Sequence, residues 1–287
     1  MSTHAQSIST AARAAGSNAF VFQIYYDEAS RARLDAGFVP LDNRTNPRPD
    51  WYEFWVIRDW LRTHELLDGC WYGFLSSRFA HKTGIGSTAL MQALASAGDS
   101  ADVALFSPSW DQLAYFLNPF EQGEAWHAGL LQYAQRCVTA LGLGIDLASL
   151  VTHAGNAVFS NYLVAKPRYW QRWLALADRY FELVESDLGL GRATAYGSAQ
   201  RQVPMKVFVQ ERLPALLLAN GELRVIAADN SNTAPLMQAL FGADPRTRRM
   251  LQACDLMKRE YCRTRAPAYL DMYRRLRATV PYTAPVY

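Results

Sequence analysis

The 287-residue sequence predicts an α/β fold, a mostly parallel sheet flanked by helices with a helical C-terminal elaboration. Three observations predict it. Short apolar, aromatic-rich runs read as strands buried on both faces, helical patterns separate them, and polar clusters follow the runs directly. In open α/β sheets such strand ends form the ligand crevice.

Ala19 to Tyr26, AFVFQIYY, is the first such run; Asp27 and Glu28 follow it at once. Phe38 to Leu41 reads as a second short strand, and Asp42 to Pro49 as a polar loop. Asp50 and Glu53 form a capping-box pattern for a helix ending near His64, with Trp51, Phe54, Trp55, Arg58 and Leu61 along one face. Cys70 to Leu75 is a third strand, followed by the polar loop Ser76 to Gly84, a helix from about Ser87 to Ala97, and a strand from Asp102 to Phe106.

Gln112 to Gly142 reads as mainly helical, interrupted at Asn118-Pro119 and Gly123. Ala157 to Ala165 predicts a strand with Asn161 in its middle, and Pro167 opens a long helix whose Trp170, Trp173, Leu174, Ala177, Tyr180, Phe181 and Val184 make a core-facing stripe. Residues 186–203 read as a mobile loop, Met205 to Asn220 as a helix kinked at Pro214, and Leu223 to Ala227 as a last strand. Basic amphipathic helices near 246–260 and 267–278 close the chain. The expected organisation is a flexible start at 1–18, an α/β domain at 19–230 and a helical extension at 231–287 packed on the same domain.

A net charge of +3 with scattered Lys and Arg argues against a nucleic-acid partner. Cys70, Cys137, Cys254 and Cys262 form no Cys-x-x-Cys pair and read as reduced, packed thiols. The first 18 residues lack an apolar h-region, and the stretch Cys137 to Ala165, free of Lys and Arg, is broken by Asp146, His153 and glycines. A cytoplasmic protein is expected. Arg246, Arg248, Arg249, Lys258, Arg259, Arg274, Arg275 and Arg277 read as a solvated basic face; the alternative is peripheral contact with anionic lipid at the inner face of the plasma membrane.

No Walker loop, His-Glu-x-x-His, Gly-x-Ser-x-Gly or Gly-x-Gly-x-x-Gly occurs. The ordered segments LDNRTNPRPDWYEFWVIRDWL, WYGFLSSRF, DVALFSPSW with EQGEAWH, NYLVAKPRYWQRWLALADRYFELVE and PMKVFVQERLPALLL, within a similarity over residues 20 to 225, are the most informative feature. Together they resemble bacterial GT-A-like (Rossmann-like) glycosyltransferases and hypothetical proteins of capsule, lipopolysaccharide and exopolysaccharide gene clusters. In that family an Asp-Asn dipeptide precedes a Trp-rich helix, a basic residue follows a Tyr-Gly strand, an Asn lies on the strand before a second Trp-rich helix, and a Glu-Arg pair sits on a late helix. Here those positions are Asp42-Asn43, Tyr72-Gly73 with Arg78, Asn161, and Glu211-Arg212.

The resemblance implies transfer of a sugar from a nucleotide-sugar donor to a saccharide or lipid-linked acceptor. Donor-binding candidates are Tyr25, Asp27, Asp42, Asn43, Arg78, Lys82, Asp111 and Asn161; catalytic candidates are Glu124, His127 and Glu211, with Glu121 beside them. The Asp-x-Asp metal motif of many GT-A enzymes is missing, so no cofactor is assigned; Mn or Mg enters only if Asp111 is a ligand, and Arg78 and Lys82 are expected to offset the leaving diphosphate instead. Each residue also has a plainer reading. Tyr25 and Asp27 can end a strand and start a turn, Asp42-Asn43 can form an Asx-turn, Arg78 and Lys82 can be a solvated loop pair, and Glu211 can be half of a buried ion pair with Arg212 or another base. The rival functions are a non-catalytic carbohydrate-binding or assembly protein, and an enzyme acting on another phosphorylated metabolite.

Overall fold

The aromatic runs become strands buried on both faces, as an α/β sheet covered by helices requires. A computed structural model of the chain describes residues 18–195 and 202–285. The expected flexible start thus lies outside the described residues except for Asn18, as do residues 196–201 of the expected loop at 186–203. The strands are β1 (Ala19–Tyr25), β2 (Val39–Asp42), β3 (Trp71–Ser76), β4 (Val103–Leu105), β5 (Leu163–Ala165), β6 (Thr194–Ala195), β7 (Val203–Pro204) and β8 (Val225–Ala227).

Among the described residues, six strands form one sheet in the order β2-β1-β3-β5-β4-β8. β1 pairs in parallel with β2, from Phe22 opposite Val39 to Tyr25 opposite Asp42, and with β3, from Ala19 opposite Trp71 to Ile24 opposite Ser76. β5 runs antiparallel to both β3 and β4. β6 and β7 form a separate antiparallel pair.

The chain divides into two compact units whose segments interleave along the sequence. The first comprises residues up to Phe106, Asn161–Asp178 and Glu222–Ile226, and it carries most of the sheet. One face of its sheet packs Val21, Trp71, Leu75, Ala104 and Val164 against Phe79, Leu90 and Leu94. The opposite face stacks Phe22 on Phe74 and sets Trp60 against both. Trp170, from the helix Pro167–Ser186, adds its ring to Phe74 and donates its indole N–H to the carbonyls of Tyr72 and Ala165 at 3.0 and 3.2 Å. The tryptophan stripe therefore builds core: Trp170, Trp173, Ala177, Tyr180 and Val184 are buried. Gln23, the polar residue in β1, is buried but satisfied, donating to the Ser76 carbonyl and accepting from the Asp35 N–H.

The second unit is mainly helical, also holds the β6–β7 pair, and includes residues 231–285, the described part of the expected C-terminal extension. Trp110, Tyr115, Phe116, Phe241, Leu251, Cys254 and Tyr273 form its core. Asn118 is the N-cap of the helix Pro119–Trp126: its side-chain oxygen accepts from the N–H groups of Phe120 and Glu121, while its amide donates to the carbonyls of Leu147 and Leu150. Lys258 is fully buried and donates to the carbonyls of Leu113 and Phe116 at 2.5 and 2.6 Å, satisfying the C-terminal end of the helix Trp110–Tyr115. Among the described residues no helix is long and apolar enough to cross a membrane. The four cysteines are unbridged, and burial pushes the thiols of Cys137 and Cys254 up to about 12 and about 11.

Several local expectations need correction. Asp50 does not cap the helix Tyr52–Thr63; it lies in a 3-10 turn and pairs with Arg48 at 3.1 Å. The expected strand 157–165 forms only at Leu163–Ala165, so Asn161 precedes the strand. Gly123 lies inside the helix Pro119–Trp126, and the break falls at His127–Gly129, where Gly129 takes a φ of 89°. The helix expected over 205–220 is two helices, Met205–Gln210 and Leu213–Leu218. Pro214 sits in the first turn of the second, where its missing N–H costs nothing.

Candidate functional site

The chain leaves β1 to form β2 on one side and then crosses back to form β3 on the other, so the topological switch lies between β1 and β3. In open sheets of this kind the crevice beyond the carboxyl ends at that point is the usual ligand position. Seven predicted residues lie at this edge of the first unit: Tyr25, Asp27, Asp42, Asn43, Arg78, Lys82 and Asn161. Asn161 qualifies because β5 is antiparallel, which puts its start beside the ends of β3 and β4; the Phe106 N–H bonds the Tyr162 carbonyl there.

The edge is chemically divided. On the β1–β2 side, the Tyr25 hydroxyl is hydrogen-bonded to Asp42, whose carboxylate is gripped by Arg44 through Nε and Nη2 at 3.0 and 2.7 Å. Arg44 holds Asp42 well below the usual carboxylate range, and it also donates to Glu28 at 2.7 Å and lies over the Tyr25 ring. Its cation is thereby matched by two carboxylates. The Asn43 N–H continues the ladder to the Tyr25 carbonyl. Asp27 caps the short helix Glu28–Arg31 in a capping box with Ser30, whose hydroxyl and N–H lower its pKa. Its plainer reading as a turn residue describes this geometry.

Beyond β3 the edge is cationic. Arg78 and Lys82 are exposed, and among the described residues neither has a carboxylate partner. Lys82 lies over the ring of Tyr162, 5.6 Å from its centroid, and the Tyr162 hydroxyl bonds Ser76 at 3.0 Å. Ser77, between Ser76 and Arg78, is 6% exposed, and its hydroxyl has no hydrogen-bond partner among the described residues. Two exposed cations without a carboxylate partner among the described residues suit an anionic group.

The other four predicted residues belong to the second unit. Asp111 is buried, and its two oxygens accept from the N–H groups of Gln112 and Met237 at 2.9 and 2.6 Å. Burial raises its pKa. Its oxygens are committed to main-chain donors, so the donor set does not fit Mn or Mg, and among the described residues no group of three or more His, Cys, Asp or Glu could hold a metal. Glu124 accepts from the N–H groups of Gly129 and Leu131 at 2.8 and 2.7 Å and so caps the helix Leu130–Ala140. Glu121 accepts from Leu117 N–H and pairs with Arg277 at 2.7 Å. His127 stacks on Phe208 with ring centroids 3.6 Å apart. Glu211 is half-exposed, 3.9 Å from the Arg212 guanidinium. Arg212 itself is buried and donates to the carbonyls of Pro119 and Phe208 and to Gln122.

Two neutral histidines set an expected pH dependence. Burial pushes His127 and His153 each down to about 4, with Arg212 adding to the effect on His127 and Arg259 and Lys258 outweighed in part by Asp255 at His153. The unfolded chain takes up these protons near pH 6.5, so stability present above that pH is lost as pH falls toward 4. The loss should be on the order of 2–4 kcal/mol, allowing for solvent screening at these partly open sites. Urea unfolding at pH 7 and pH 4.5 measures it, and replacing both histidines by glutamine should flatten the difference.

Sequence reasoning missed Arg44, Ser77 and Tyr162. The Asp42-x-Arg44 spacing was available as a signal, because a carboxylate two residues before a guanidinium in a polar loop can close a bidentate ring. Comparison with known proteins finds no matching family model, no similar curated protein and no solved structure of matching fold.

Proposed function

We propose that this chain is a GT-A-type glycosyltransferase that moves a sugar from a nucleotide-activated donor to a saccharide or lipid-linked acceptor in surface polysaccharide synthesis. The observation that carries the reading is the divided edge at the topological switch. Carboxylate and phenol lie on one side, beside which a nucleoside can bind, and cations without a carboxylate partner among the described residues lie on the other, where a diphosphate can bind. Tyr25, Asp42 and Asn43 are assigned to the nucleoside, and Arg78 and Lys82 to the diphosphate.

In the reaction a base takes the acceptor hydroxyl proton, the oxygen forms a bond to the anomeric carbon, and the carbon–oxygen bond to the phosphate breaks with the electron pair leaving on the nucleotide. Fixed cations favour that charge build-up. The catalytic candidates Glu124, His127 and Glu211 belong to the second unit, and Glu124 already accepts two main-chain N–H bonds. His127 is neutral near pH 7 and retains proton-accepting capacity.

The commitment of Glu124 to a helix cap also keeps a second reading in view, a carbohydrate-binding protein without chemistry. Thermal-shift titration separates the two. A nucleoside diphosphate sugar at about 100 times its Kd should raise the melting temperature by several degrees. Donor hydrolysis would mark an enzyme. Stabilisation by glycan alone would mark a binding module, and stabilisation only by other phosphorylated metabolites would mark the remaining rival.

A further inference from the structure

Charge is unevenly distributed along the chain. Residues 245–278 hold ten of the 29 Lys and Arg but three of the 26 Asp and Glu, a net +7 against −4 for the remainder. This stretch folds as two successive helices, Pro245–Thr264 and Pro267–Arg277, packed on each other within the second unit. Not all of its cations face outward. Arg248 bonds the carbonyls of Ser231 and Ala234, Lys258 is buried, and Arg277 pairs with Glu121.

The outward set is organised by the helical repeat. Arg249, Leu256 and Arg263 recur every seven residues, which puts them in one row along the first helix. Leu256 is 52% exposed between the two arginines. On the second helix Met272 is 51% exposed and Arg275 follows it by three, on the same side. Arg249 and Arg275 are exposed and have no acidic partner among the described residues. Arg263 is shared with Glu260 at 2.6 Å.

We infer that this helical pair docks on an anionic lipid surface, its arginines on the headgroup phosphates and Leu256 and Met272 at the acyl boundary. Charge complementarity supplies the attraction, and the aliphatic side chains select the partner. A bilayer accepts an aliphatic group below its phosphates while the long arginine side chains reach back to them. A nucleic acid offers stacking surfaces that suit aromatic residues, and neither Leu256 nor Met272 can use them. The inference is independent of any sugar-transfer activity.

Co-sedimentation of the full chain with vesicles tests it. Binding is expected to vesicles containing phosphatidylglycerol, to fail on pure phosphatidylcholine, and to weaken as salt is raised. Arg249→Ser with Arg275→Ser should weaken binding roughly 30-fold, and Leu256→Ser alone about five- to ten-fold. All three positions are exposed, so melting temperatures should be unchanged. Equal binding to both vesicle types overturns the inference, as does binding to neither. Indifference to Leu256→Ser also overturns it, and if a random-sequence DNA duplex then competes with the vesicles, the face belongs to nucleic acid.

Discussion

Arg78→Ala is expected to reduce turnover of a nucleotide-sugar donor by roughly two to three orders of magnitude while leaving the melting temperature unchanged. The two halves of that expectation rest on the same geometry. Arg78 is exposed and makes no ion pair among the described residues, so truncating it breaks no folded-state interaction. A cation left uncompensated at the carboxyl end of β3 is available for the charge that would develop on a departing diphosphate in the proposed reaction. Its mate on Asp42, Arg44, is not, because two carboxylates already neutralise it. Lys82→Ala should cost less, since its ammonium lies over the Tyr162 ring and acts as a point charge without a planar fork. Arg78→Lys should recover part of the rate. A near-normal rate in Arg78→Ala would remove this residue from the mechanism. Activity abolished by EDTA and restored by Mn²⁺ or Mg²⁺ would transfer the charge compensation to a metal.

The strands at the divided edge were legible in sequence because each is a dense apolar run that stops at polar residues, as at Tyr25–Asp27 and Ser76–Arg78. The helix Ser87–Ala97 was legible to the residue. What composition concealed was length and direction. The apolar stretch Ala157–Ala165 looks like one strand because Ala157, Val158 and Tyr162 are buried, yet only Leu163–Ala165 joins the sheet. Burial of an irregular segment and burial of a strand leave the same hydrophobic signature. The antiparallel sense of β5, which brings Asn161 to the site edge, is a tertiary pairing with no local signal.

The catalytic candidates illustrate a different limit. Glu121 and Glu124 lie three apart on one helix, as their spacing implied, but each carboxylate is drawn to nearby main-chain N–H groups. Such capping partners depend on how the next turn folds back, which Gly129 decides by adopting a positive φ. Similarly, Arg248, Lys258 and Arg277 read as surface charges in an amphipathic helix, whereas the fold uses them to satisfy buried carbonyls and a carboxylate.

Gly123→Ala should destabilise the second unit by about 2–4 kcal/mol, against the gain of up to about 1 kcal/mol that helix propensity alone would give. A Cβ at this position would overlap Leu130 Cδ2 and lie 2.8 Å from Arg212 Nε and 2.9 Å from Arg212 Cζ. Leu130 is buried and Arg212 is 2% exposed, so neither has open space to enter. Burial already pushes the Arg212 guanidinium down to about 10, and its charge is tolerated because Pro119, Phe208 and Gln122 accept its hydrogen bonds. Moving it breaks those bonds and leaves a poorly solvated cation, which is the expensive way to disturb a buried charge. Arg212→Met removes the charge and part of the obstruction together. The double variant should therefore lose less stability than the two single losses added, by about 1 kcal/mol or more. Urea unfolding of the four proteins measures that coupling. A Gly123→Ala protein as stable as the parent, or simple additivity in the cycle, would mean that Arg212 does not occupy the space beside this helix.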